Sequence, residues 1–96
     1  MARKITRIHM EQGTAGNHVE HIERLMYVDD MFPTYEVQEA RDTTARNIWF
    51  AGARYYTRGS DGRQAEVTAY EAHGRYYIKT MADGSKLDNL LALPRY

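Results

Sequence analysis

After Gly52 the hydrophobicity of the sequence repeats every two residues, and this period constrains the fold more than any other feature. Residues 53–58, 63–70 and 75–80 alternate apolar and polar side chains, which is the pattern of half-buried strands. The short segments between them contain glycine and other turn-forming residues. We therefore predict three consecutive antiparallel strands in the second half of the chain.

The first half of the chain predicts two further strands and one helix. Residues 5–10 alternate like a strand, and residues 18–28 fit either a helix or a strand. Their β-branched and aromatic side chains favour the strand. Apolar residues then recur at helical spacing from about residue 35 to residue 51, with Thr34 as N-cap and Gly52 at the C′ position.

These elements together predict an α+β fold. It consists of a small antiparallel sheet of about five strands, in the order β-β-α-β-β-β, with one helix packed on one face. The chain has 96 residues, which is the length of a single domain, residues 1–96. Because a domain of this size buries a modest core, a homodimer is an expected way to bury more surface.

The composition excludes several classes of protein. No cysteine is present, so disulfides, thiolate nucleophiles and cysteine-ligated zinc sites are ruled out. The first residues are too polar for a signal peptide, and no apolar run is long enough to cross a membrane. Since small secreted domains usually need disulfides, we expect a cytoplasmic protein, either of a cell or of a phage that produces it there, without membrane contact.

The last three predicted strands present a surface rich in arginine and tyrosine. Alternation directs Ala65, Val67 and Ala69 toward the core, so the intervening side chains lie on the other face. Guanidinium groups bind phosphate oxygens and tyrosine rings stack on bases, which predicts a site for an anionic ligand, a nucleotide or a nucleic acid. Cross-strand packing without any ligand is the alternative explanation. The candidate ligand-binding residues are Arg54, Tyr56, Arg58, Tyr70, Arg75, Tyr77 and Lys79.

Catalytic and metal-binding patterns are weak in this sequence. Ser60 and Ser85 are the two serines, and neither has the surroundings of a catalytic nucleophile. The sequence from His18 to His21 lacks a metal-binding signature, and as a strand it would place the two histidines on opposite faces. We therefore predict a protein that is not an enzyme, with no catalytic residue, no metal and no cofactor.

Charge is distributed unevenly along the chain, although the formal net charge is zero. Residues 10–42 carry eight acidic and two basic residues, whereas residues 43–96 carry eight basic and five acidic residues. This asymmetry predicts a second possible function: an accessory protein that inhibits or modulates a host protein, such as a defence factor, through the acidic segment 11–42. A third possibility is a dimeric sponge for a nucleotide signal, which the small size and the arginine and tyrosine content favour.

The C-terminal residues 82–94, Ala-Asp-Gly-Ser-Lys-Leu-Asp-Asn-Leu-Leu-Ala-Leu-Pro, form a recognisable signature. It resembles the closing motif of a family of small bacterial and phage domains of unknown function. Residues 5–8, 52–56 and 65–67 are similar to the same family. The resemblance implies a compact domain of bacterial or phage origin and assigns no catalytic residue. Asp88 and Asn89 lie within the motif and are secondary ligand candidates, or alternatively bind backbone groups in the returning chain.

Overall fold

The structure is a computed structural model that describes residues 2–12, 18–59, 62–80 and 89–96. In these ranges the chain forms six strands and one α-helix, together with two short 3-10 turns at Val19–His21 and Asn89–Ala92. The main elements are β1 (Ala2–Met10), β2 (Ile22–Asp29), β3 (Phe32–Ala40), α1 (Arg41–Ala51), β4 (Arg54–Arg58), β5 (Gln64–Ala72) and β6 (Arg75–Thr80).

The six strands form one mixed sheet in the order β3-β2-β1-β4-β5-β6. Neighbouring strands are antiparallel except for β1 and β4, which run parallel with Ala2 opposite Arg54 and Lys4 opposite Tyr56. The predicted five-stranded antiparallel α+β fold is therefore wrong in strand number and in strand direction. The described chain is mostly β, and α1 is the connection that makes the parallel pairing of β1 and β4 possible.

The additional strand, β3, occupies residues that the sequence analysis assigned to the helix. We predicted a helix from about residue 35 to residue 51, but the helix begins at Arg41 and β3 extends to Ala40. Thr34, Tyr35 and Val37 favour a strand, and antiparallel pairing with β2 satisfies the backbone groups on one side of β3. Tertiary pairing therefore overrides the helical spacing of the apolar residues.

The other predicted elements are confirmed with small changes in their ends. The first strand begins at Ala2 rather than at residue 5, and the strand predicted over 18–28 is preceded by a 3-10 turn before β2 begins at Ile22. The three strands after the helix match β4, β5 and β6. Helix α1 ends where predicted, because Gly52 adopts the left-handed conformation with φ of 68°.

Helix α1 covers one face of the sheet, which we call the inner face; the opposite face is the outer face. Alternation along β4, β5 and β6 directs Tyr55, Val67 and Ile78 to the inner face, where they are buried. The C-terminal residues Leu90 and Leu91 are also buried there. The buried cluster consists of Ile5, Ile8, Ile22, Leu25, Ala45, Tyr55, Val67, Ile78, Leu90 and Leu91.

The C-terminal segment completes the hydrogen bonding of β1. The backbone N–H of Ile8 donates to Pro94 at 3.0 Å, and the N–H of Tyr96 donates to Ile8 at 3.1 Å. Strand β4 pairs with β1 only from Ala2 to Lys4. The C-terminal segment makes a short parallel contact on the same side of β1, further along the strand. The segment thus satisfies backbone groups that would otherwise lack a partner strand.

The guanidinium of Arg41 joins the edge strand β6 to the start of β2. Its Nε donates to the carbonyl of Tyr76 at 3.0 Å, and its Nη1 donates to the carbonyl of Ile22 at 3.1 Å. The side chain of Arg41 is only 11% exposed, and its guanidinium carbon lies 4.5 Å from the ring centroid of Tyr77. Since β2 and β6 are not neighbours in the sheet, this contact means that the sheet curls around α1.

Helix α1 is the longest helix among the described residues. Neither it nor the two 3-10 turns in these ranges are long and apolar enough to cross a membrane.

Candidate ligand-binding site

The candidate residues predicted from the sequence fall into two groups on the outer face. Strand β4 places Arg54, Tyr56 and Arg58 on this face because they are two residues apart. Strands β5 and β6 place Tyr70 opposite Tyr77 further along the sheet. Glu66, which pairs with Tyr56, and Tyr70 are four residues apart on β5, or about 13 Å. The two groups are therefore separate surfaces.

The first group surrounds a cavity of about 360 Å³. This volume lies within the range of about 300–1,000 Å³ that is typical of small-molecule sites. The cavity lies between β4, β5, the start of β1 and the turn that joins β2 to β3. It is lined by Ala2, Asp30, Arg54, Tyr55, Tyr56, Arg58, Gln64, Ala65 and Glu66.

Tyr56 is fixed in this cavity by a hydrogen bond to Asp30. Its hydroxyl donates to Oδ1 of Asp30 at 2.7 Å, while the backbone N–H of Asp30 donates to Ala2 at 3.2 Å. Burial raises the pKa of Tyr56, and the bond to the Asp30 carboxylate raises it further. Sequence reasoning missed Asp30, because only the parallel pairing of β1 and β4 brings the β2–β3 turn beside Tyr56.

Both guanidinium groups of the cavity lie at the surface. Nε of Arg54 is 3.5 Å from Oε1 of Glu66, but the two side chains are 72% and 52% exposed, so solvent screens this ion pair. The guanidinium carbon of Arg58 lies 5.9 Å from the ring centroid of Tyr56. On the outer face the cavity thus combines two accessible cations, the ring of Tyr56 and two carboxylates.

The second group is a packed aromatic cluster. The rings of Tyr70 and Tyr77 stack with centroids 5.5 Å apart, and Nζ of Lys79 lies 5.2 Å from the Tyr70 centroid. Tyr77 is buried, although the sequence analysis placed it on an exposed surface. Its ring contacts both Arg41 and Tyr70, and its burial leaves it inaccessible to a stacked base. Arg75 is exposed at the start of β6 and does not line the cavity.

The secondary candidates lie at the border of the described residues. Asp88 is outside them. Asn89 begins the short C-terminal 3-10 turn, and its side chain is likewise outside the described part. Their proposed ligand or backbone contacts stay predictions.

A closed polar network lies on the inner face around the hydroxyl of Tyr55. This hydroxyl accepts from Nη1 of Arg3 at 2.7 Å and from Nδ2 of Asn47 at 3.3 Å, and it donates to Oε1 of Glu39 at 2.7 Å. Thr44 also donates to Glu39. Burial raises the pKa of Tyr55 to about 12. Because its members satisfy one another, we interpret this network as structural.

Each acidic residue of segment 11–42 has an ion-pair or hydrogen-bond partner in the structure. Five lie within ion-pair distance of a basic residue or a histidine, and three accept hydrogen bonds. The pairs are Glu11 with Arg41, Glu20 with His18, Glu23 with His9, Glu36 with Arg7 and Asp42 with Arg46; the acceptors are Asp29, Asp30 and Glu39.

Histidine and carboxylate side chains do not converge into a metal site in the ranges that the structure covers. His18 and His21 approach each other, with ring centroids 5.8 Å apart, but no third ligand joins them among these residues.

The model of a family described as "Protein of unknown function (DUF3892)" matches residues 4–94. Searches of the curated proteins and of the solved structures gave no significant match.

Proposed function

We propose that this chain, which belongs to the DUF3892 family of proteins of unknown function, is a small, non-enzymatic binding module for an anionic ligand. Membership in the family does not itself assign an activity. The proposed site is the cavity between β4, β5 and the β2–β3 turn. One observation carries the proposal: Arg54 and Arg58 flank the ring of Tyr56 on one strand face, and all three line a cavity of about 360 Å³.

The chemistry of these side chains matches a nucleotide. Guanidinium groups bind phosphate oxygens through paired N–H donors, and a tyrosine ring offers a face for a base. Arg54 and Arg58 are each two residues, or about 7 Å, from Tyr56 along β4. A base on the ring and a phosphate on either guanidinium can therefore belong to one molecule.

The charge distribution favours a short ligand over a long nucleic acid strand. Binding along a strand requires a continuous basic groove and several stacking platforms. The cavity instead contains Asp30 and Glu66 beside its two arginines, and Tyr77 in the neighbouring cluster is buried. A mononucleotide or a short oligonucleotide end is consequently the ligand that we propose.

The other functions considered from the sequence receive less support. The accessory-protein hypothesis relied on an acidic surface, and the acids of segment 11–42 are engaged individually. A dimeric sponge for a nucleotide signal would use the same ligand chemistry, so it remains a variant of our proposal. Cytoplasmic location in a bacterial cell or a phage-infected host is part of the proposal, supported by the absence of cysteine and by the family resemblance.

The double variant Arg54→Glu/Arg58→Glu is expected to bind nucleotides about 100-fold more weakly than the unmodified protein, because two charge-assisted contacts are replaced by repulsion. Isothermal titration calorimetry with the four ribonucleoside monophosphates measures the affinity. The affinity of the unmodified protein is also expected to fall as salt concentration rises.

The matched control is Arg75→Glu/Lys79→Glu, which changes the net charge by the same amount but on β6, outside the cavity. We expect its affinity to stay within about threefold of the unmodified protein. If both double variants lost affinity equally, the effect would be one of overall charge, and the cavity would not be the binding site. If the unmodified protein bound none of the nucleotides, the proposed ligand class would be wrong.

A further inference from the structure

Asp30 holds a defined position in the lining of the cavity. Its backbone is attached to the start of β1 through the N–H bond to Ala2, and its carboxylate is attached to β4 through the Tyr56 hydroxyl. The bond of 2.7 Å aligns one oxygen of the carboxylate with the phenol. A base stacked on the Tyr56 ring can be oriented so that one of its edges reaches the Asp30 carboxylate, which lies at the hydroxyl end of that ring.

Asp30 differs from the other carboxylate of the cavity in its partners. Glu66 has a cation as its neighbour, since Nε of Arg54 lies 3.5 Å from its Oε1. In the described part of the chain, the structure places no arginine or lysine within ion-pair distance of Asp30, and its partner at the carboxylate is the neutral phenol. An ionised carboxylate can accept about four hydrogen bonds. The Asp30 carboxylate thus keeps acceptor capacity for a ligand.

We infer that Asp30 selects nucleotides whose base presents two adjacent N–H donors, which is the pattern of guanine; this inference rests on the function proposed above. The Watson–Crick edge of guanine carries N1–H and the 2-amino group side by side. Adenine and cytosine present an amino group beside an acceptor nitrogen, and uracil presents an N–H between two carbonyls. Because an ionised carboxylate only accepts, it pairs fully with guanine and opposes an acceptor on the other bases.

The arginines and Asp30 divide the recognition between them. Arg54 and Arg58 bind the phosphate of any nucleotide and give affinity without base preference. Asp30 discriminates between bases. A bound base displaces water from the Asp30 carboxylate, and a base that does not replace those hydrogen bonds binds more weakly. Affinity and preference are therefore separable by mutation.

The test is calorimetry of the full chain with guanosine, inosine, xanthosine and adenosine 5′-monophosphates at one salt concentration. Inosine lacks the 2-amino group, so we expect binding about tenfold weaker than for guanosine. Adenosine and xanthosine, each with an acceptor at this edge, are expected to bind more weakly still. In Asp30→Asn the amide still accepts from Tyr56 and also offers a donor, so the preference should shift from guanosine toward xanthosine.

Asp29→Asn is the matched control, because Asp29 is the preceding residue, its Oδ1 accepts from the N–H of Met31, and it does not line the cavity. We expect it to keep the guanosine preference. If the unmodified protein and Asp30→Asn each bound guanosine and adenosine monophosphates with equal affinity, this inference would be overturned. The proposed function would still stand in that case, provided that Arg54→Glu/Arg58→Glu weakened binding as expected. Absence of binding by these four nucleotides and by cytidine and uridine monophosphates would overturn the proposed function itself, and this inference with it.

Discussion

Replacing Arg41 with methionine is expected to lower the free energy of unfolding by about 3–5 kcal/mol. Methionine keeps much of the aliphatic volume but removes the donors to the carbonyls of Tyr76 and Ile22. These carbonyls belong to strands that are not neighbours in the sheet, so the contact that holds β6 against the start of β2 is lost. Urea unfolding followed by circular dichroism measures the change.

Arg46→Met is the control for this prediction. Arg46 is on the same helix and pairs with Asp42 four residues earlier, but its side chain is 61% exposed. Exposed helical ion pairs contribute about 0.3–0.5 kcal/mol, so the loss should stay below about 1 kcal/mol. Similar losses for Arg41→Met and Arg46→Met would contradict the structural role that we assign to Arg41.

Tyr55→Phe is expected to lower the free energy of unfolding by about 2 kcal/mol at neutral pH. The variant keeps the ring but removes the hydroxyl that Arg3, Asn47 and Glu39 share. Glu39 then loses one of its donors in a partly buried position. Chemical denaturation of the two proteins side by side gives the difference.

The same variant changes how stability depends on alkaline pH. The pKa of Tyr55 is about 12 in the folded protein, against about 10 in an unfolded chain. Between these values the unfolded chain loses a proton that the folded protein keeps, so Tyr55 contributes stability below about pH 10 that is lost as pH rises toward 12. We expect Tyr55→Phe to reduce this loss and Tyr35→Phe, at an exposed position, to leave it unchanged. Parallel alkaline slopes in all three proteins would contradict the prediction.

Local patterns predicted the elements whose stability is local. The two-residue period after Gly52 predicted β4, β5 and β6, because each hairpin pairs neighbouring segments of sequence. Gly52 predicted the end of α1, because the left-handed conformation that ends a helix is also a local property of the chain. Residues from about 35 to 40 carried apolar spacing compatible with a helix, and only pairing with β2 decides in favour of a strand.

Long-range pairing explains which parts of the candidate site were missed. Alternation along β4 was sufficient to place Arg54, Tyr56 and Arg58 on one face. The parallel pairing of β1 with β4 is not encoded in any local pattern, and it brings Asp30 to the Tyr56 hydroxyl. The burial of Tyr77 depends likewise on Arg41, which precedes it by 36 positions in the sequence.

Ligand mapping by NMR tests the central claim most directly, namely that the cavity beside β4 binds a nucleotide. Guanosine 5′-monophosphate would be titrated into ¹⁵N-labelled protein, and the shift of each backbone amide recorded. We predict that the largest shifts among the described residues occur at Asp30, at 54–58 and at 64–66. Largest shifts at 70–79 or along α1, or no shifts at millimolar ligand, would contradict it.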